Sequence, residues 1–281
     1  MERAVQTPFV TTDWLSAHLE DDNLVIVDAS WHMPNLARDP RTEFREGHIP
    51  GAVFFDIDAI SDTSTDLPHM LPTPEAFAQA VGALGISETS QILIYDETGL
   101  FSAPRAWWTF KIFGAQNVAM LEGGGPKWRS EQRPTQTGDQ SPEPTIFTPS
   151  FTPEAVVDFD TVLARLTDKK AQILDARPAP RFNAEVPEPR AGLRSGHMPG
   201  AINVPVGTLS EAGQLRSETE LKALFAERGI DLNRPIITTC GSGITAAVLS
   251  LALQRAGAKS VAIYDGSWTE WGGRPDAPIE P

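Results

Sequence analysis

The sequence is poor in cysteine, since Cys240 is the only one among 281 residues. A single cysteine cannot close an intramolecular disulfide, and the chain has no CxxC pair or HExxH motif that would bind zinc. The longest apolar runs, such as ITAAVLSLAL, reach about half of the ~20 residues that a membrane span requires. The N-terminus, MERAVQTPFVTTDW, lacks the charged and then apolar order of a secretory signal. These absences predict a cytoplasmic protein, and no metal or organic cofactor is expected.

Basic residues are also scarce. The chain has 23 Lys and Arg against 37 Asp and Glu, which gives a formal net charge of −14. A charge of this sign repels nucleic acids and anionic membrane surfaces, and it therefore argues against both as partners. A small anionic substrate would bind only where a few cations are placed together. Any basic site is expected to be small and specific.

The two halves of the chain resemble each other. LVIVDAS followed by EFREGHIPGAVFFDI in the first half matches QILDARP followed by LRSGHMPGAINVPV in the second half. Residues 91–128 align in the same way with residues 235–271, and the offset between matching residues is nearly constant. Self-similarity at so long a period indicates two copies of one domain.

The repeat predicts three segments: an N-terminal domain over residues 1–130, a linker over 131–152 and a C-terminal domain over 153–281. The linker is rich in Pro, Ser, Thr and Gln and shows no apolar period. Within each copy, short apolar strands alternate with helical patterns, which is typical of an α/β fold with a mainly parallel sheet flanked by helices. The predicted strands are 24–28, 52–55, 91–95, 117–121, 171–174, 201–204, 235–239 and 260–264. The clearest helices are predicted in PEAFAQAVGALG, SETELKALFAERG and ITAAVLSLALQRAG.

Cys240 follows a predicted strand, at the sheet edge where parallel α/β folds bind their ligands. Gly241 and Gly243 allow the backbone to curl so that several N–H groups point inward, and a helix begins near Thr245. Such a loop would hold an anion and would stabilise a thiolate, the nucleophilic form of cysteine. The alternative is a buried, inert cysteine. Asp96 occupies the matching place in the first copy, so only the second copy has a nucleophilic sulfur.

The chain resembles the tandem-domain rhodanese superfamily. The resemblance is carried by the DAS and DAR strands, the GHIPGA and GHMPGA turns, the loop CGSGIT, and the segments FFDIDAISD, LPHMLP, SAPRAWW, EPRAGLRSGH and YDGSWTEW. It covers nearly the entire chain and implies two rhodanese-like domains, of which the second is catalytic. CGSGIT is similar to the loop of members that take sulfur from 3-mercaptopyruvate. It differs from the CRKGVT-like loop of thiosulfate-specific members.

The resemblance implies where the donor binds. Its carboxylate-binding arginines match Arg181 and Arg190, and a carboxylate remote from the transferred sulfur suits arginines set back from the loop. On the sequence alone, both could instead be exposed arginines among Glu185 and Glu188. The donor would also contact loop residues, namely Gly241, Gly243, Ile244 and Thr245.

Proton transfer in the resembling enzymes is assigned to a Ser, His, Asp relay. Its matching positions are Ser242 in the cysteine loop, with His69 and Asp58 from the first half of the chain. This places the expected active site between the two domains. His48 and His197 occupy matching turns of both copies, including the copy without a thiol, and are therefore expected to be structural.

The implied reaction stores sulfur as a Cys240 persulfide and passes it to an acceptor, either a thiol such as that of thioredoxin or cyanide. Two alternatives remain open, a thiosulfate sulfurtransferase and a non-enzymatic persulfide carrier. A cysteine phosphatase is disfavoured because its loop needs an arginine six residues after the cysteine, where this chain has Ala246.

Overall fold

The computed structural model describes residues 8–281, which divide into two compact units. Each unit is discontinuous along the chain. The first comprises the described residues up to Thr63, Leu71–Thr152 and Ala212–Gln214, and the second comprises Ser64–Met70, Pro153–Glu211 and Leu215–Pro281.

The first unit contains a five-stranded sheet in which every neighbouring pair is parallel. The strands are β1 (Phe9–Val10), β2 (Leu24–Asp28), β3 (Val53–Phe54), β4 (Gln91–Tyr95) and β5 (Asn117–Leu121), in the spatial order β1-β5-β4-β2-β3. The helices are α1 (Thr12–His18), α2 (Pro40–Glu46), α3 (Pro74–Ala83), α4 (Ala103–Ile112) and α5 (Gly124–Ser130).

The second unit repeats this arrangement with a second parallel sheet. Its strands are β6 (Val156–Val157), β7 (Gln172–Asp175), β8 (Ile202–Asn203), β11 (Ile236–Thr239) and β12 (Val261–Tyr264), in the order β6-β12-β11-β7-β8; the short strands β9 (Ser210–Glu211) and β10 (Gln214–Leu215) precede β11. The helices are α6 (Phe159–Asp168), α7 (Ala179–Phe182), α8 (Glu218–Glu227), α9 (Ile244–Arg255) and α10 (Ser267–Trp271). Across residues 8–281, no helix combines the length and the apolar character that crossing a bilayer demands.

The identical strand order confirms the predicted duplication and the α/β fold. All eight predicted strands are present, and no strand end differs from the prediction by more than one residue. The outermost strands β1 and β6 were not predicted. Each has two residues, too few to show an alternating pattern, and each pairs at the sheet edge with β5 or β12.

Two of the predicted helices, α3 and α8, begin where the sequence supplies a cap. Thr73 accepts a hydrogen bond from the N–H of Ala76 at the start of α3, and a proline follows it at the first helical position. Ser217 and Glu220 form a reciprocal capping box at the start of α8. Local side-chain chemistry therefore explains why these helices could be predicted from the sequence.

The duplicated histidines pack within their turns. His48 is buried, its ring stacks on Phe44 at 4.0 Å, and its backbone pairs with Gln136. In the second unit, His197 stacks on Phe182 at 3.9 Å, and its backbone pairs with the chain near the C-terminus. Both imidazoles thus contribute to packing in equivalent positions.

The two units stabilise the aspartate at the end of their first long strand differently. In the first unit, Asp28 accepts hydrogen bonds from the N–H and hydroxyl of Ser30 at 2.9 and 2.5 Å. Burial is the main effect on this carboxyl, and it raises the pKa of Asp28 to about 6. In the second unit, Asp175 instead pairs with the guanidinium of Arg177, and both side chains are 1% exposed.

Replacing Asp28 with Asn should change how stability depends on pH. Below the unfolded-state pKa of about 3.9, Asp28 is neutral in both the folded and unfolded states. As pH rises through the folded-state pKa of about 6, the buried carboxyl ionises, and the stability that its neutral form contributes is lost. We therefore compare the unfolding free energy of Asp28→Asn with that of the wild type. This difference should be about 2 kcal/mol more favourable to the variant at about pH 7 than at about pH 4.

Chemical denaturation at the two pH values measures this difference. Asp22→Asn, at an exposed aspartate of the same unit, is the matched control and should show no such gain. A difference between Asp28→Asn and wild type that is the same at both pH values would contradict the expectation.

Candidate active site

The loop that follows β11 carries the sole cysteine. Cys240 is 2% exposed, and the loop leads into α9 through Gly243, whose φ of 83° lies in the left-handed region that favours glycine. Within residues 8–281, no group accepts a hydrogen bond from the N–H groups of residues 241–245. These donors and the positive end of α9 remain available to stabilise a negative charge.

The helix α10 braces the cysteine loop from one side. The N–H of Trp268 donates to the carbonyl of Cys240 at 2.9 Å, and the N–H of Thr269 donates to the carbonyl of Gly241 at 2.9 Å. The N–H of Cys240 itself donates to the hydroxyl of Ser267 at 3.3 Å. Cys240 therefore has both of its backbone polar groups bonded to one short helix.

The first unit shows what the equivalent loop binds. Asp96 follows β4 as Cys240 follows β11, and its side chain is fully buried. Its carboxylate accepts five backbone hydrogen bonds of 2.7 to 2.9 Å, from the N–H groups of Thr98, Gly99, Phe101, Ser102 and Ala103. Here the loop holds an anion that is part of the chain.

Ser242 lies in the cysteine loop and meets a histidine from far away in the sequence. The imidazole Nδ1 of His69 is 3.0 Å from the Ser242 hydroxyl and 3.1 Å from its carbonyl oxygen. His69 is 3% exposed and has a φ of 62°. A non-glycine residue in the left-handed region costs about 1–2 kcal/mol, so its surroundings hold it there. The segment containing His69 belongs to the second unit.

Asp58, the third member of the predicted relay, belongs to the first unit, where its carboxylate accepts a hydrogen bond from the indole of Trp31 at 3.1 Å. Of the residues predicted to bind the donor, Ile244 is buried and Thr245 is half-buried in the first turn of α9. Arg190 is half-buried in the loop between β7 and β8.

Arg181 lies directly beside the cysteine loop. Its Nη2 is 3.1 Å from the position that a Cβ on Gly241 would occupy. Its guanidinium donates to Glu188 through Nε, at 3.2 Å, and through Nη2. The pair is not on the surface, because the side chains of Arg181 and Glu188 are 16% and 1% exposed.

Sequence reasoning assigned no part in the site to Arg177, Glu188 or Trp268, which lie around Arg181 and the loop. Arg177 donates to Glu188 at 2.9 Å, and its Cζ lies 3.9 Å from the ring centre of Trp268. No local pattern marks such contacts, because they form only when the chain between β7 and β8 packs against α10.

The sequence profile described as "Rhodanese-like domain" matches residues 11–131 and 158–274. The chain belongs to the rhodanese family. This rhodanese is 49% identical over 276 residues to 3-mercaptopyruvate sulfurtransferase of Escherichia coli K12, with 98% of each chain covered. It is 40% identical over 269 residues to human 3-mercaptopyruvate sulfurtransferase, covering 93% of this chain and 91% of the human one. It is also 40% identical over 270 residues to rat thiosulfate sulfurtransferase, with the same coverage.

Among solved structures, the rhodanese fold matches the crystal structure of SseA from Escherichia coli, a 3-mercaptopyruvate sulfotransferase by its published description. The TM-score is 0.87 at 47% identity, and the match covers 93% of this chain and 99% of the other. Human and rat relatives with different donors are equally similar to this rhodanese. The Escherichia coli 3-mercaptopyruvate sulfurtransferase is more similar than either, at 49% identity.

Removing the Asp96 carboxylate should destabilise the protein. Asp96→Ala leaves five buried N–H groups without their acceptor, and hydrogen bonds to a charged group contribute about 1.5–3 kcal/mol each, though not additively. We expect the free energy of unfolding to fall by at least about 3 kcal/mol, and by less in Asp96→Asn, whose amide oxygen still accepts. Denaturant unfolding measures the loss. Asp22→Ala is the exposed control, and equal stabilities of the two alanine variants would refute this role of the carboxylate.

Proposed function

We propose that this rhodanese is a 3-mercaptopyruvate sulfurtransferase that stores sulfur as a persulfide on Cys240 and releases pyruvate. The observation that carries the proposal is the position of the cation at the site. Arg181 lies against Gly241 from outside the loop, while the loop residues CGSGIT include no basic side chain. An arginine set back from the nucleophile suits a donor whose carboxylate is separated from its sulfur.

In the donor step, Arg181 and Arg190 bind the carboxylate and direct the donor's thiol toward Cys240. The Cys240 thiolate attacks that sulfur, a sulfur–sulfur bond forms, and the donor's carbon–sulfur bond breaks. The bonding electron pair passes to the carbon and gives the enolate of pyruvate. The proton of the donor's thiol moves to that carbon, so the products are the Cys240 persulfide anion and pyruvate.

Ser242 and His69 are proposed to carry this proton. The 3.0 Å separation between Nδ1 and the hydroxyl allows a proton to pass between the two side chains. Burial of both residues excludes competing water. Asp58 would complete the relay by orienting the imidazole, as the family resemblance implies.

In the second step, an acceptor attacks the outer sulfur of the persulfide and regenerates the Cys240 thiolate. We propose a thiol acceptor, such as that of thioredoxin, and cyanide can serve in the same way. A single cysteine suits a reducing compartment, and we propose that the enzyme works in the cytoplasm.

Thiosulfate is the alternative donor, and the 40% identity to the rat thiosulfate sulfurtransferase supports considering it. Thiosulfate is a compact dianion whose sulfonate lies next to the transferred sulfur. Gly241 and Ser242 offer it no positive charge within the loop. The observed loop therefore favours 3-mercaptopyruvate. A carrier that receives its persulfide from another protein would release no pyruvate.

The test is incubation of the purified protein with 3-mercaptopyruvate or thiosulfate and a dithiol acceptor. We expect pyruvate release and a kcat/KM at least about tenfold higher for 3-mercaptopyruvate than for thiosulfate. Cys240→Ser should abolish turnover, because a hydroxyl cannot form the persulfide. Mass spectrometry of the wild type without acceptor should find roughly 32 Da added to the Cys240 peptide. Pyruvate release by Cys240→Ser would rule out the covalent mechanism.

Replacing His69 with Ala should slow the donor step. General acid–base groups contribute about 10² to 10⁴ in rate, so we expect persulfide formation to slow by roughly 10²-fold at saturating donor. Rapid mixing with 3-mercaptopyruvate alone isolates this half-reaction. His18→Ala, on α1 of the first unit, is the control. A normal rate and pH profile in His69→Ala would remove this residue from the relay.

A further inference from the structure

Glu188 joins two arginines in the second unit. Its Oε1 accepts from Nη1 of Arg177 at 2.9 Å and from Nε of Arg181 at 3.2 Å, and its Oε2 accepts from Nη2 of Arg181. The Glu188 side chain is 1% exposed. A buried carboxylate is retained at low cost only when it is paired and hydrogen-bonded, and here both oxygens are.

One side of this link is fixed. Arg177 is 1% exposed, donates to both oxygens of Asp175 at 2.7 to 3.2 Å and to the carbonyl of Gly196 at 2.8 Å, and lies over the ring of Trp268. Its remaining donor, Nη1, holds Glu188. The carboxylate of Glu188 is therefore attached to the end of β7 rather than to a mobile surface.

The other side of the link orients Arg181. A guanidinium has five N–H donors in a rigid plane, and Glu188 uses the edge formed by Nε and Nη2. The edge formed by Nη1 and Nη2 remains, and these atoms lie 3.9 and 3.1 Å from the Cβ position of Gly241. A second carboxylate can bind that edge beside the Cys240 loop while the first edge stays on Glu188.

We propose that Glu188 is a positioning residue for the sulfur donor: it holds Arg181 by one edge so that the other edge binds the donor's carboxylate beside Cys240. This role rests on the proposed function, because it requires a donor with a carboxylate. Glu188 itself does not touch the donor. Its negative charge repels a donor carboxylate, but Arg181 lies between the two and is closer to the donor, so its attraction prevails.

The decisive variant is Glu188→Gln. It keeps the shape and one acceptor, but it turns an amide NH2 toward Nη2 of Arg181, where two donors cannot bond. Arg181 then leaves its position and no longer binds the donor's carboxylate. Because Arg181 binds that carboxylate equally in the ground state and in the transition state, its loss raises KM and leaves kcat nearly unchanged. We expect the KM for 3-mercaptopyruvate to rise about tenfold with kcat within about twofold of wild type. Glu185→Gln makes the same charge change at an exposed neighbour whose carboxylate accepts a hydrogen bond from the Asn183 side chain, and it should change neither constant.

A double-mutant cycle separates positioning from a general structural effect. In an Arg181→Ala background, Glu188→Gln should change KM less than about twofold, because the residue through which it acts is absent. The proposal is overturned if Glu188→Gln leaves KM unchanged, lowers it, or raises it equally in both backgrounds. Failure of the wild type to release pyruvate from 3-mercaptopyruvate would instead refute the proposed function, before any variant is compared.

Arg181→Lys covers the case in which Glu188→Gln does not fold. Lysine keeps the positive charge but has no Nε and Nη2 edge for Glu188 to hold. We expect its KM to approach that of Arg181→Ala. A KM for Arg181→Lys at the wild-type value would show that charge alone suffices, and it would overturn the proposal.

Discussion

The structure depends on backbone N–H groups gathered at the carboxyl end of a parallel strand, where they attract a negative charge. In the first unit this charge is the Asp96 carboxylate, bound by five N–H groups. In the second unit the same place holds Cys240. One loop design therefore holds a carboxylate in one copy and a thiol in the other, and a thiolate, unlike a carboxylate, is a strong nucleophile.

The duplicated fold also shows how one buried position can be stabilised by different means. Asp28 accepts hydrogen bonds from Ser30, and its burial raises its pKa. Asp175 instead forms an ion pair with Arg177. The second solution places a buried guanidinium over Trp268, whose N–H donates to the carbonyl of Cys240. From there, Glu188 connects it to Arg181, so the charge pair of the second sheet is linked to the side chain that lies against Gly241.

Much of the fold followed from the sequence. Eight strands of the two parallel sheets and the helices α3, α8 and α9 were predicted because apolar period and helix-end residues are local signals. The edge strands β1 and β6 were not, since their pairing depends on a neighbour rather than on their own pattern. The approach of His69 to Ser242, across 173 positions of sequence, was anticipated through family resemblance and not from spacing. Glu188 was considered only as a surface residue.

The sequence by itself determined the duplication, the strand and helix alternation and the place of the sole thiol, since these depend on residue type and short-range order. Tertiary structure alone decided that Arg181 lies against Gly241, that Glu188 is buried between two arginines, and that His69 contacts Ser242. The physical reason is that burial and hydrogen-bond partners arise only when distant segments pack. The identity of a charged residue does not reveal whether water or an opposite charge surrounds it.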